Sequence, residues 1–170
     1  MVAKNIWFGM LVLSIGLISI GNLNAQTDNR LNGSWVQITE GIEFELRLRN
    51  GNFEELYNDI SFRRGTFTTS AKELTITPTN IHGGGFNNFM MSTTGIDFGL
   101  ESRWYSFNEA IIAIRAALLR YGLSEREANE FVQSAISGDD TTSTYSVDDY
   151  TLILVSALQG QSFTIILTKK

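Results

Sequence analysis

Polar and apolar residues alternate along much of the chain after residue 30. Residues 43–49 read EFELRLR, so their apolar side chains share one face and their charged side chains share the other. Asn50-Gly51 follows, and this dipeptide favours a two-residue hairpin because both turn positions need positive φ. Residues 53–57 are therefore predicted to form the returning strand.

The same pattern of short strands and tight turns continues to the end of the chain. Further strands are predicted at residues 31–38, 62–69, 74–79, within 144–154, and at 162–168. The hairpin at 144–154 repeats the aromatic-to-leucine spacing of residues 66–76. This succession is typical of a β-meander, and a meander avoids exposed edges by closing into a barrel. We expect a mostly β, single up-and-down antiparallel barrel of about eight strands.

One region interrupts the strands with helical signals. Ser106 and Glu109 form a capping box before an apolar run that ends near Gly122, and Ser124 and Glu127 form a second. We predict a two-helix insertion at about residues 107–138, between the fifth strand region and the C-terminal strands, packed on the barrel.

The first 25 residues have the pattern of a secretory signal peptide. Lys4 precedes the apolar run 6–20, and small and polar residues lead to a predicted cleavage after Ala25. A retained membrane anchor is the alternative, but the run is shorter than the roughly 20 residues that span a bilayer. We predict an exported protein, periplasmic or secreted, with one domain at residues 26–170.

Charge and composition narrow the classes of function. The chain has 13 basic and 18 acidic residues, and loss of Lys4 leaves 12 against 18, a net charge of −6. This balance argues against nucleic-acid binding, which needs a basic face. The chain has no cysteine, which excludes disulfides, thiolate metal sites and thiol catalysis.

Several stretches together resemble a known family. They read LNGSWV, NGNFE, RGTFTTSAKELTITPTNIHGG, SRWYSFNEA, TYSVDDYTLIL and FTIILTKK, in this order. The chain resembles short exported bacterial lipocalin-like proteins, whose Gly-x-Trp is matched by Gly33 and Trp35. The resemblance implies an eight-stranded barrel that can hold one small ligand. It also implies structural roles for Gly33 and Trp35 at the closed end, under a basic residue that Lys169 or Lys170 would supply.

The stretch IHGGGF, residues 81–86, resembles the oxyanion-hole motif of many lipases and esterases. It contains His82, the one histidine of the chain. The mature chain has no Gly-x-Ser-x-Gly elbow, and His82 cannot serve both the oxyanion loop and a catalytic triad. We therefore interpret IHGGGF as the end of a strand and a loop at the barrel mouth. A lone histidine is also a poor basis for a zinc site.

Paired charges have structural and functional interpretations. Asp139-Asp140 and Asp148-Asp149 suggest calcium, but their spacing does not fit an EF-hand and Asp favours hairpin turns. Glu54-Glu55 and Arg63-Arg64 are predicted to be cross-strand partners on a solvated face, where ion pairs contribute little. We predict no metal site and no cofactor.

The segment 86–99 and the pair Trp104-Tyr105 carry apolar side chains without regular alternation. One interpretation is packing against the inserted helices. The other is a mouth or lid whose aromatic and methionine side chains make adaptable apolar contacts.

Our leading hypothesis is a lipocalin-like protein that binds a small apolar or amphipathic ligand inside the barrel. The alternative is a protein-interaction module with a filled barrel, which uses the inserted helices and the 86–99 loop. An enzyme ranks third because no nucleophile–base pair is present, and we predict none. The candidate lining residues are Phe44, Leu46, Leu48, Tyr57, Phe67, Leu74, Trp104, Tyr145 and Leu152.

Overall fold

The computed structural model describes residues 28–135, 141–158 and 161–170. The strands within these ranges are β1 (Gly33–Thr39), β2 (Ile42–Arg49), β3 (Asn52–Tyr57), β4 (Ile60–Ser70), β5 (Glu73–His82), β6 (Trp104–Ser106), β7 (Thr141–Val147), β8 (Thr151–Leu158) and β9 (Gln161–Lys169). The helices are α1 (Gly83–Thr94), α2 (Phe107–Arg120), α3 (Glu125–Ala135) and a 3₁₀ turn at Asn29–Leu31. The predicted signal peptide, residues 1–25, lies outside the described residues. Among the residues described, no helix is both long and apolar enough to cross a bilayer.

Eight strands close into an antiparallel barrel in the order β1–β2–β3–β4–β5–β7–β8–β9, with β9 paired back to β1. The expected up-and-down barrel with a helical insertion is confirmed. Strand β5 has two partners on one side. Its first half, Glu73–Ile76, pairs with β7, and its last three residues, Asn80–His82, pair with the additional strand β6.

Two apolar clusters fill different ends of the molecule. We call the end where β1 begins the lower end, and the end where α1 follows β5 the upper end. The lower cluster comprises Leu31, Trp35, Leu46, Leu48, Phe53, Phe67, Leu74, Ile76, Tyr145, Leu152, Leu154 and Leu167. The upper cluster, which joins the three helices to β3–β6, comprises Tyr57, Phe62, Ile81, Phe86, Phe89, Met90, Phe98, Leu100, Tyr105, Ala110, Ile114, Ala117, Leu118, Ala128, Phe131 and Val132.

Trp35 closes the lower end. Its side chain is fully buried, as the Gly-x-Trp pattern implies, and its indole nitrogen donates to the carbonyl oxygen of Leu31 at 2.7 Å. Lys169 supplies the basic group, with its Nζ 5.3 Å from the centre of the indole ring. Gly33 has a φ of +151°, and a Cβ there would lie 3.2 Å from the Lys169 side chain. A larger residue at position 33 would therefore strain the closure.

The residues before β1 are tied across the same end. The carboxylate of Asp28 accepts a hydrogen bond of 3.0 Å from the Tyr145 hydroxyl. It also forms an ion pair with Arg30 at 2.7 Å. Its backbone amide donates to the Thr69 hydroxyl at 3.1 Å. The hydrogen bond from Arg30 is the main reason that the pKa of Asp28 falls from 3.8 to about 2. These contacts fix the 3₁₀ turn under the barrel.

The helical insertion begins as predicted. Ser106 caps α2 in a complete capping box with Glu109, and Ser124 exchanges the same two hydrogen bonds with Glu127 at the start of α3. Gly138, the predicted end of the second helix, lies outside the described residues.

The predicted end of a strand at IHGGGF is confirmed, since β5 ends at His82, but the predicted loop is wrong for residues 83–94, which form α1. His82 ends β5 and caps the helix, since its Nδ1 accepts from the Gly85 amide at 3.2 Å. The glycines allow the helix to approach other backbone closely. A Cβ on Gly85 would overlap the Ser61 carbonyl, and a Cβ on Gly83 would overlap that of Glu101. Gly95, with a φ of 73°, ends the helix.

Candidate functional site

The side chains that face inward change from apolar to polar above the lower cluster. Glu55 shows this change on β3, because it lies between Phe53 and Tyr57, which both pack in the core. It is also directly opposite Leu46 of the lower cluster, and opposite side chains share a face. The carboxylate of Glu55 therefore points into the barrel, and the residue is 4% exposed.

Arg63 binds this carboxylate side-on. Arg63 is the register partner of Glu55 on β4. Its Nη2 donates to one carboxylate oxygen at 2.9 Å, and its Nε donates to the other. The side chains are only 15% and 6% exposed. The predicted cross-strand pairing is confirmed, but the predicted solvated face is wrong for this pair. An irregularity between Glu55 and Leu56 shifts the register so that Phe62 is left without a partner in β3.

One edge of the Arg63 guanidinium remains available. Nη1 has no hydrogen-bond partner among the described residues, yet no buried side-chain nitrogen or oxygen in this part of the chain lacks one. Nη1 therefore retains some accessible surface. Burial alone would lower the pKa of Arg63, but the charge of Glu55, the hydrogen bonds to Glu55 and the neighbouring Tyr57 together outweigh burial and raise it. Arg63 thus keeps its charge inside the barrel.

Tyr57 lies beside this ion pair. Burial raises the pKa of its hydroxyl, and the negative charge of Glu55 raises it further. The phenol is therefore neutral at physiological pH and remains a hydrogen-bond donor.

More polar side chains face the interior from other strands of the barrel. The hydroxyl oxygens of Ser143 and Ser156 are 2.6 Å apart, and both residues are buried. Gln37 follows Trp35 by two positions on β1 and is directly opposite Phe44. It therefore faces inward, and it is half-buried. Gln37, Ser143 and Ser156 therefore add inward polar side chains on three further strands, β1, β7 and β8.

Apolar side chains complete this part of the interior. Ile165 packs partly against the lower cluster, and Phe163 lies two residues earlier on the same face of β9. Phe163 is the register partner of Ser156. Phe44 touches both clusters. Phe44, Phe163 and Ile165 are half-buried although they face inward, so solvent reaches the interior at this level. We call the set Gln37, Phe44, Glu55, Arg63, Ser143, Ser156, Phe163 and Ile165 the upper interior.

The structure divides the predicted lining residues. Most of them belong to the lower cluster and fill the barrel there: Leu46, Leu48, Phe67, Leu74, Tyr145 and Leu152. Phe44 and Tyr57 lie higher, at the level of the ion pair. A ligand would therefore contact Phe44 and Tyr57 rather than the six deeper side chains, which already contact one another.

Trp104 does not line the barrel interior. Its neighbour Tyr105 is opposite Ile81, and both pack in the upper cluster, so Trp104 and its partner His82 face the outside. The centres of the Trp104 and His82 rings are 5.1 Å apart in an edge-to-face arrangement, and the Arg64 guanidinium lies 4.2 Å from the centre of the indole.

Three carboxylates on the outside of the barrel surround a cation of the chain itself. Glu43, Glu45 and Asp59 lie close enough to share one ion. Lys170 Nζ is 2.8, 2.9 and 3.7 Å from them, respectively. The lysine ammonium already occupies the space between these carboxylates and offsets part of their charge.

The sequence predicts the pairing of Glu54-Glu55 with Arg63-Arg64 but not which residue of each doublet faces the interior. In each of the doublets Glu54-Glu55 and Arg63-Arg64, one residue faces inward and the other outward, whichever face of the strand lines the barrel. The inward position of Phe53 and Tyr57 is the one available signal, since Glu55 falls between them at a spacing of two.

The comparisons with known proteins add no further assignment. The chain matches no model of a protein family, no curated protein and no solved structure.

Proposed function

We propose that this chain is an exported lipocalin-like protein that binds one small amphipathic molecule in the upper interior of its barrel. The observation that carries the proposal is the inward-facing pair Glu55–Arg63 beside half-buried apolar side chains that solvent reaches. Binding sites for small molecules combine apolar walls with a few polar groups that set orientation.

The ion pair Glu55–Arg63 is energetically costly to bury. Two charges removed from water lose hydration, and replacement of a buried pair by apolar side chains is often neutral or stabilising. Stability alone is therefore a weak reason for Glu55 and Arg63 to face the interior. The outer edge of Arg63 and the hydroxyl of Tyr57 offer donors to the polar end of a ligand, such as a carboxylate. Phe44, Phe163 and Ile165 offer contacts to its apolar end.

The helices favour this proposal over a filled interaction module. The apolar side chains of the 86–99 segment would be the working surface of such a module. Phe86, Phe89, Met90 and Phe98 are buried instead, and they pack against the barrel and the other helices. Exposed apolar side chains remain at Met91, Ile112 and Tyr121, and single exposed apolar residues are common on soluble domains.

A pair of neighbouring substitutions tests the location of the site. Gln37 faces the upper interior, whereas Ile38 faces outward and is 71% exposed. We expect wild-type protein to take up a fluorescent fatty acid, with a matching adduct in its native mass spectrum. Gln37→Trp should weaken uptake by about tenfold or more by filling the interior, and the matched control Ile38→Trp should not.

The melting temperature of each variant separates blockage from unfolding. Equal uptake by folded Gln37→Trp and Ile38→Trp would contradict the location. Failure of the wild type to bind either the fluorescent fatty acid or an uncharged apolar probe would contradict the function.

A further inference from the structure

A second concave surface lies on the outside of the barrel, separate from the upper interior. It is a groove of about 1090 Å³ across β1–β4, and it ends near Lys170. Its floor is formed by two rows of outward side chains that are directly opposite one another in neighbouring strands. One row is Ser34, Arg47, Glu54 and Arg64, and the other is Arg49, Asn52 and Thr66.

The charges in the groove do not cancel. Glu45 and Glu54 are the acidic lining residues, and Arg47, Arg49, Arg64 and Lys170 are the basic ones, which gives a formal charge of +2. Arg47 contacts both glutamates, at 2.6 and 3.8 Å. Lys170 is held by Glu45 and by two carboxylates outside the lining. At the end of the groove near Lys170 the two cations are therefore outweighed by these carboxylates, in a chain whose net charge is −5.

Arg49 and Arg64 carry the remaining charge. No carboxylate within the described part of the chain lies within 4 Å of either guanidinium. Arg49 is on β2 and Arg64 is on β4, two residues along from the register partner of Arg49, so their backbones are about 12 Å apart. The Arg64 guanidinium rests 4.2 Å from the centre of the Trp104 ring. This contact reduces the freedom of Arg64 before any ligand arrives.

Neutral hydrogen-bonding groups lie between the two arginines. Asn52 and Thr66 are register partners in the floor, and Asn32 and Ser34 extend the same surface. Amide and hydroxyl groups match the hydroxyls of a sugar, and each guanidinium can bind a carboxylate or sulfate through two hydrogen bonds. We infer that this groove binds an acidic oligosaccharide, with its charged groups at Arg49 and Arg64.

A nucleic acid fits the groove less well. Single strands bind largely by stacking bases on exposed aromatic side chains. Phe53, the aromatic residue in the lining, is 3% exposed, and the guanidinium of Arg64 lies over one face of Trp104. The acidic chain also repels a long polyanion outside the groove.

Fluorescence anisotropy with labelled oligosaccharides tests the inference. The probes are an oligomer of dextran sulfate, an oligomer of polygalacturonate, a neutral dextran oligomer and a single-stranded oligonucleotide. The first two separate sulfate from carboxylate as the preferred group. We expect at least one of them to bind, with an affinity that falls as salt rises, and no binding of neutral dextran.

The variants connect binding to the groove. Arg49→Gln/Arg64→Gln should weaken binding of the acidic oligosaccharide by about tenfold. The control Arg120→Gln/Arg126→Gln removes the same charge from exposed positions on α2 and α3 and should change binding by less than about twofold. Uptake of the fluorescent fatty acid should be unchanged in both, because the groove and the barrel interior are separate.

Four results would overturn the inference. They are failure of both acidic oligosaccharides to bind, equal binding of neutral dextran, wild-type affinity in the groove variant, and tighter binding of the oligonucleotide.

Discussion

The indole nitrogen of Trp35 donates a 2.7 Å hydrogen bond to the carbonyl oxygen of Leu31, and both residues are completely buried. This contact joins the 3₁₀ turn to the first strand and fills the lower end of the barrel. Loss of the ring would remove both the hydrogen bond and the packing around it.

We therefore expect Trp35→Ala to lower the free energy of unfolding by about 3–5 kcal/mol, through lost burial and an unfilled cavity. A domain of this size is stable by roughly 5–15 kcal/mol, so urea unfolding would detect the change easily. Trp104→Ala is the control. Because Trp104 is half-buried on the outside of the barrel, this substitution should lower the free energy of unfolding by less. Equal losses would contradict the closing role of Trp35.

The interior ion pair predicts opposite results for single and double substitution. Arg63→Met leaves the Glu55 carboxylate buried without its partner and should cost about 3–5 kcal/mol. Arg63→Met/Glu55→Leu removes both charges and should restore stability to within about 1 kcal/mol of the wild type. Arg126→Met, which breaks an exposed i,i+4 pair with Glu130, should cost under about 1 kcal/mol.

The same double variant separates the two roles of the pair. If Arg63 orients a ligand, Arg63→Met/Glu55→Leu should bind a fluorescent fatty acid less tightly while it retains an uncharged apolar probe. Undiminished fatty-acid binding by this folded variant would assign the pair to structure alone.

Glu45 predicts how stability changes in acid. Burial disfavours its charged form, but hydrogen bonds from Arg47, Lys170 and Ser34 outweigh burial and lower its pKa from 4.5 to about 2. A depressed folded-state pKa stabilises the fold above the unfolded value, and that stability is lost as pH falls from about 4.5 through about 2. Because Arg47 and Lys170 are nearly half exposed, we expect a contribution of only about 1–2 kcal/mol.

Urea unfolding at a series of pH values measures this contribution. Glu45→Gln should be less stable than the wild type at pH 7 and should show a smaller loss between pH 4.5 and pH 2. Glu40→Gln is the control, because no described residue forms an ion pair with this exposed carboxylate. Parallel curves for the wild type and Glu45→Gln would refute the assignment.

The glycines of IHGGGF should differ in their tolerance of alanine. A Cβ on Gly85 would overlap the Ser61 carbonyl, which belongs to β4 and cannot rotate away. Gly85→Ala should therefore displace α1 at a cost of about 1–3 kcal/mol. A Cβ on Gly84 would meet the Ser102 hydroxyl at 2.8 Å, and that side chain can turn. Gly84→Ala should be nearly neutral in thermal unfolding; a reversed order would contradict the close approach.

The sequence predicts the barrel better than it predicts the site. Strict alternation and Asn50-Gly51 locate β2 and β3 within one residue of their observed ends, because pattern and turn chemistry agree there. The helix α1 was missed since three glycines have poor helix propensity, and its formation depends on packing of Phe86 and Phe89. The inward direction of Glu55 follows that of Phe53 and Tyr57 at a spacing of two, and only the pairing of β3 with β2 shows which face of the strand is inward.

Strand β9 closes the barrel, because it pairs with β1 from the other end of the chain. In this pairing Trp35 is opposite Lys169, and Val36 is opposite Thr168. Until β9 is available, β1 and β8 both have free edges. Contacts across so many residues form slowly, because the ends of a long loop must first meet. A chain that lacks its last strand is therefore left with two open edges that can pair with other chains, and truncation near residue 160 should favour aggregation over a smaller folded barrel.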